Sequence, residues 1–168
     1  MKIAKCKLIM IKEKEIQYDS LNNAKLIYDF LKEEVGLHKE PEEVVVMLAL
    51  DNKNNVNGYY EVSRGTIDKS LLNPREVFKR ALVSNAKSIV IAHNHPAGSI
   101  LPSREDKIIT SKLKEAGEVL DIKLLDHLII TDKSYYSFFE NNPDLVEEEE
   151  CDRFYKMEYK DKKDLERS

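Results

Sequence analysis

Seven consecutive apolar side chains, Val44 to Leu50, follow Glu42-Glu43 and begin with three valines. A strand sends successive side chains to opposite faces, so an uninterrupted apolar strand needs cover on both of them. The run therefore predicts a central strand of a sheet with helices packed above and below. It also falls far short of the about 20 apolar residues that cross a bilayer as a helix, so no membrane span is expected. A second run, Ser88-Ile89-Val90-Ile91-Ala92-His93, has the same buried-strand character and stops at Pro96 and Gly98.

Other segments surround these two with mixed secondary structure. Residues 3–11 alternate apolar and polar side chains like a strand. From Ser20 onward, Leu21, Ala24, Ile27, Tyr28, Leu31 and Val35 fall on one helix face, and Gly36 ends it. The polar stretch Asn52 to Gly58 reads as a loop, and Tyr59 to Arg64 as a second strand, making an antiparallel hairpin with residues 43–50. Asn73-Pro74 supplies an N-cap and a first-position proline, with Val77, Phe78, Ala81 and Leu82 as the inner face of the next helix. A helix over 103–117 would turn Ile108, Ile109, Leu113 and Ala116 inward, and two β segments, 122–131 and 134–139, follow. The order predicts an α/β domain, a mixed sheet covered by helices, over residues 1–139.

Residues 140–168 differ, with 11 acids and 6 bases, and read as an acidic C-terminal tail or docked helix. The whole chain, with 27 Lys+Arg and 31 Asp+Glu, has a formal net charge of −4, which offers a polyanion such as DNA no long-range attraction. Cys6 and Cys151 stand near opposite ends and form no Cys-x-x-Cys pair, so a metal would be held by histidine and carboxylate. The N-terminal alternation of lysine and apolar residues carries no long apolar stretch or small-residue cleavage site, and the expected location is cytoplasmic.

His93 and His95 lie where the second apolar run enters a Pro/Gly loop, and in extended backbone residues i and i+2 project to the same face. Ser103-x-x-Asp106 opens the next helix like a capping box, a purely structural role when taken alone. Together these residues place two imidazoles and one carboxylate within reach of one cation. Three protein ligands with a fourth position open are what a catalytic zinc requires.

His93-Asn94-His95, seven intervening residues, Ser103, two more and Asp106 reproduce the His-x-His-x7-Ser-x2-Asp pattern. On it the chain resembles the JAB/MPN (JAMM) metalloproteins. Asn73-Pro74-Arg75-Glu76-Val77-Phe78-Lys79, Arg64-Gly65-Thr66, Ala92-His93-Asn94-His95-Pro96, Pro102-Ser103-Arg104-Glu105-Asp106 and Leu125-Asp126-His127 are similar to its RadC branch, over roughly residues 20–139. The resemblance implies a cytidine-deaminase-like, three-layer α/β/α domain, with His93, His95 and Asp106 as ligands of Zn²⁺ and Ser103 as a donor to a developing oxyanion. It also implies a glutamate on an upstream strand that takes a proton from water, and Glu61, on the strand leading into Arg64-Gly65-Thr66, is the expected residue. The activity implied is hydrolysis of a peptide or isopeptide bond. His127 is either a core group or a support for the ligands, and His38 is read as a surface residue.

Four other readings compete. A zinc nucleobase deaminase needs His-x-Glu and a later Pro-Cys-x-x-Cys, which this chain lacks. An HNH nuclease spreads its three residues over a ββα unit and does not place them consecutively. A DNA-repair-associated protein, whether nuclease or accessory factor, remains the principal alternative, although Lys79-Arg80, Lys112 and Lys114 form no basic stripe interleaved with aromatics. A scaffold that has lost its ligands is disfavoured, because every ligand position is filled.

Overall fold

The computed structural model describes residues 1–18, 21–65 and 72–146. Its centre is a five-stranded mixed sheet of β1 (Glu43–Leu50), β2 (Val56–Gly65), β3 (Ser88–Asn94), β4 (Lys123–Ile130) and β5 (Tyr135–Ser137), in the spatial order β2-β1-β3-β4-β5. β1 is antiparallel to both β2 and β3, while β3 and β4 run parallel, joined by a crossover through α3 (Arg104–Leu120). Val44 to Leu50 are all buried, as a strand with apolar residues on both faces requires.

Each face has its own core. On one, α1 (Ala24–Phe30), continued by a π-helical turn over Leu31–Val35, packs Ile27, Phe30 and Leu31 against Val44, Val46, Leu48, Val90, Leu128 and Ile130. On the other, Val77, Phe78 and Ala81 of α2 (Pro74–Val83) and Leu113 of α3 cover Val45, Met47, Ile89, Ile91 and Ile129. The domain is thus an α/β fold in three layers, and burial of each such aliphatic side chain contributes about 1.5–3 kcal/mol.

Several boundaries depart from the sequence expectations. Residues 3–11 form no strand: Ile3, Leu8, Ile9 and Ile11 are exposed, and the segment has no ladder with the sheet. Alternation shows which side chains would share a face, but a strand exists only where an edge pairs with it. Met10 merely touches the edge strand, its Sδ 3.2 Å from the Tyr60 hydroxyl. The first helix is capped by Asn23, whose side chain accepts from Leu26 N; Ser20 lies outside the described residues, as does Thr66. Gly36 does end that helix, in the left-handed region with φ +75°.

Of residues 134–139 only Tyr135–Ser137 are strand, because Ser137 caps α4 (Phe138–Asn141) through Glu140 N. The packed chain continues to the 3₁₀ turn Pro143–Leu145 and the buried Val146; the acidic segment from Glu147 onward lies outside the described residues. His38 is not a surface residue, since its side chain is only 8% exposed and lies 3.8 Å from Asp132. Among the described residues, no helix is long and apolar enough to cross a membrane.

The α3–β4 junction leaves no room for a side chain at Gly117. Ile122 N donates to Gly117 O at 2.9 Å, and a Cβ on Gly117 would lie 2.3 Å from the Ile122 carbonyl oxygen. That neighbour is backbone and cannot rotate away, so Gly117→Ala is expected to lower unfolding stability by about 1–3 kcal/mol, read as a shift of the urea midpoint.

Candidate metal centre

Parity along the strands brings the site together. Val45 pairs with His93 in the antiparallel β1–β3 ladder, so two residues further out Glu43, at the start of β1, comes opposite His95, just past the end of β3. The start of one strand thereby meets the end of its neighbour. Asp106 enters from the first turn of α3, where the positive end of the helix favours a carboxylate. One ligand atom from each of Glu43, His93, His95 and Asp106 lies within 4.8 Å of every other. His93 Nε2 is 3.0 Å from His95 Nε2, 3.3 Å from Asp106 Oδ1 and 3.8 Å from Glu43 Oε1, and His95 Nε2 is 3.7 Å from Asp106 Oδ2.

Backbone and capping contacts hold each group in place. His95 N donates to Ile130 O on β4, and its ring Nδ1 donates to Ser99 O at 2.7 Å, leaving a lone pair on Nε2. Ser103 and Asp106 form the expected capping box: Ser103 Oγ accepts from Asp106 N, while Asp106 Oδ2 accepts from Ser103 N and Oγ at 2.7 and 2.6 Å. The Ser103 hydroxyl proton is thus given to Asp106. Asn94 faces away from the histidines; its amide accepts from Val44 N and donates to Glu40 O and Glu42 O, clasping the backbone on either side of Glu43.

The hydrogen bonds behind His93 have only one consistent direction. The Thr110 hydroxyl is 2.6 Å from Asp106 O, and a carbonyl can only accept, so its single proton goes there. His127 Nδ1, 2.7 Å from Thr110 Oγ1, must then be a donor. Burial holds His127 neutral with its pKa lowered to about 4, and its unprotonated Nε2 accepts from His93 Nδ1 at 2.9 Å. Burial, reinforced by His127 and His95 against the opposing Asp106, also lowers His93 well below the ordinary histidine value. Its Nε2 therefore bears a lone pair.

Two imidazole lone pairs and a carboxylate consequently face one another. Burial works against the ionised form of Asp106, yet the hydrogen bonds from Ser103 N and Oγ keep its pKa lowered. Acceptors this close need a shared donor or cation, and two nitrogens with one carboxylate suit Zn²⁺. The donor set fits the ion that the sequence implies.

The structure brings His93, His95, Ser103 and Asp106 together and leaves Glu61 apart. Glu61 pairs with Val46 and so points to the opposite face of the sheet from His93. There its carboxylate is half exposed and accepts from Arg64 Nε and Nη2, both at 3.0 Å. Glu43 takes the place expected of Glu61 beside the histidines, with burial and Asp106 raising its pKa and His95 opposing. Its signal in the sequence was a carboxylate directly ahead of a buried strand, which becomes informative only once the strand's neighbour is known.

The family model for the RadC-like JAB domain matches residues 21–143. The chain belongs to the RadC-like JAB domain family. Its relatives include the UPF0758 protein of Thermotoga maritima, 41% identical over 122 residues covering 73% of this chain and 54% of that one. The UPF0758 proteins of Clostridioides difficile and Nitrosococcus oceani are each 49% identical, over 60% and 62% of this chain and 43% and 46% of theirs. The chain spans about half the length of the curated relatives it matches. The four clustered ligand candidates and the Asn94 clasp all lie inside the RadC-like JAB match.

Two outcomes are expected of the metal-free RadC-like domain. Because folding lowers the His127 pKa from 6.5 to about 4, the folded state resists protonation. That contribution is complete above pH 6.5 and is lost as pH falls toward 4, by order of 3 kcal/mol. Urea titrations at pH 7 and pH 4.5 measure the loss. Asn94→Asp keeps the shape but sets a carboxylate against two carbonyls, and is expected to cost about 1–3 kcal/mol at pH 7, read by the same titration.

Proposed function

We propose that this domain is a metal-dependent hydrolase that cleaves a peptide or isopeptide bond, with His93, His95 and Asp106 holding Zn²⁺ and Glu43 as general base. The observation that carries the reading is the convergence of His93 Nε2, His95 Nε2 and the Asp106 carboxylate as acceptors, with the Glu43 carboxylate at their edge. The bound ion would supply Lewis acidity, polarising a carbonyl and bringing the pKa of water toward neutrality.

The chain's own groups perform the remaining work. Glu43 is half-buried, and its raised pKa suits a carboxylate that takes a proton from attacking water and hands it to the departing nitrogen. Asn94 fixes the backbone on both sides of that carboxylate, so the base is held by the strand and not by a loop. Ser103 orients Asp106 through the capping box and donates to a developing oxyanion when its hydroxyl turns from Oδ2. The His95 and Glu43 side chains are 18% and 32% exposed, leaving an approach for substrate, whereas His93 is closed off at 2%.

Metal content of the purified protein by mass spectrometry, followed by a panel of fluorogenic peptide amides and an ε-linked lysine isopeptide, tests the proposal. About one zinc per chain is expected, lost in His95→Ala and Asp106→Ala. Glu43→Gln should keep the zinc and lower turnover by about 10²–10⁴-fold, while Glu61→Gln leaves it within about threefold. Zinc-loaded protein that cleaves DNA and neither amide class would overturn the peptidase reading in favour of a nuclease.

A further inference from the structure

The functional reading gives no role to His127 and Thr110, yet both are fully enclosed beside the site. His127 is fully buried on β4, stacked on the Phe138 ring at 5.1 Å between centroids, and Thr110 is fully buried on α3. Neither side chain is among the clustered ligands, because the free nitrogen of His127 is already occupied by His93.

Their chain of bonds begins and ends on two proposed ligands. It runs from His93 Nδ1 to His127 Nε2, from His127 Nδ1 to Thr110 Oγ1, and from Thr110 Oγ1 to the carbonyl of Asp106. The protons of His93 and His127 point away from the cluster, and that of Thr110 goes to the Asp106 backbone. A neutral imidazole can carry its proton on either nitrogen, and the bond made by one nitrogen decides what the other offers. On His93, an Nε2 proton would point at His95 and Asp106 and block ligation. An acceptor behind Nδ1 removes that alternative, and this acceptor is itself fixed because Thr110 has no second proton to give.

We infer that His127 and Thr110 are positioning residues: they lock His93 as its Nδ1–H tautomer, so that the Nε2 lone pair faces the metal position, and tie its ring to the helix that carries Asp106. The inference deepens the metal-site reading and rests on it for its consequence, but the locked tautomer is a property of the metal-free protein. A histidine serving only as packing on Phe138 would be replaceable by an apolar side chain without effect on His93. The lock instead demands an acceptor at the position of His127 Nε2. Glutamine offers one in its Oε1, with an amide N–H left for Thr110; leucine does not.

The test compares His127→Gln with His127→Leu, and Thr110→Ser with Thr110→Val, in the full chain. Long-range proton–nitrogen spectra of the metal-free proteins above pH 7 read the tautomer, and competition with a chelator reads Zn²⁺ affinity. The wild type, His127→Gln and Thr110→Ser are expected to show His93 protonated at Nδ1 and zinc affinities within about threefold of one another. His127→Leu and Thr110→Val are expected to show mixed or Nε2-protonated His93 and to bind zinc about 10–100-fold more weakly. Folded His127→Leu with wild-type affinity and an unchanged tautomer would overturn the inference, as would His127→Gln behaving like His127→Leu. If His127→Leu does not fold, the two Thr110 variants make the comparison without disturbing the ring, and equal behaviour of valine and serine overturns it. Should the wild type bind no zinc, the metal reading fails alone; the spectra then still decide, Nδ1–H on His93 upholding the lock and Nε2–H overturning it.

Discussion

The antiparallel pairing of β1 with β3 is the interaction on which the site depends. It sets Val45 across from His93, and one pleat further out it brings Glu43 across from His95. Because both strands are buried on both faces, a slip of one residue would turn every side chain to the opposite layer and break the packing of both cores. The packing of the two cores thus fixes the register, and the register fixes the distance between the carboxylate and the imidazoles. Asn94 secures the same junction from the other face, replacing ladder hydrogen bonds where β1 begins.

The second constraint is electrostatic. Enclosing histidines beneath a helix N-terminus keeps His93 and His127 neutral, while the capping contacts keep Asp106 ionised. Burial of unpaired polar groups is costly, so nearly every donor behind the ligands is satisfied by a bond that runs away from the cluster. The acceptors left over are those facing inward. Helix α3 contributes to both constraints, since its first turn carries Asp106 and Thr110 anchors its second turn to β4.

Much of the fold was legible because it follows from local rules. The run Val44 to Leu50 required two covered faces and became an inner strand, Asn73-Pro74 opened α2, Gly36 closed the first helix, and Ser103 capped α3. The errors fell where a partner decides the outcome. Residues 3–11 had the alternation of a strand but no edge to join, and Phe138-Phe139 had strand character until the Ser137 cap turned them into a helix. His38 looked like a loop residue and was covered by the chain around Asp132.

For the site, the sequence by itself determined the three proposed ligands and their serine, because strand periodicity relates His93 to His95 and a helix cap relates Ser103 to Asp106. Those relations span a few residues and hold in any fold that keeps the local structure. Only the tertiary structure decided which glutamate joins them, placing Glu43 with the histidines and turning Glu61 to the other layer. It alone also put His127 and Thr110 behind His93. The physical reason is that strand order and register come from packing the whole sheet between its helices, and no spacing along the chain encodes which strand will lie beside which.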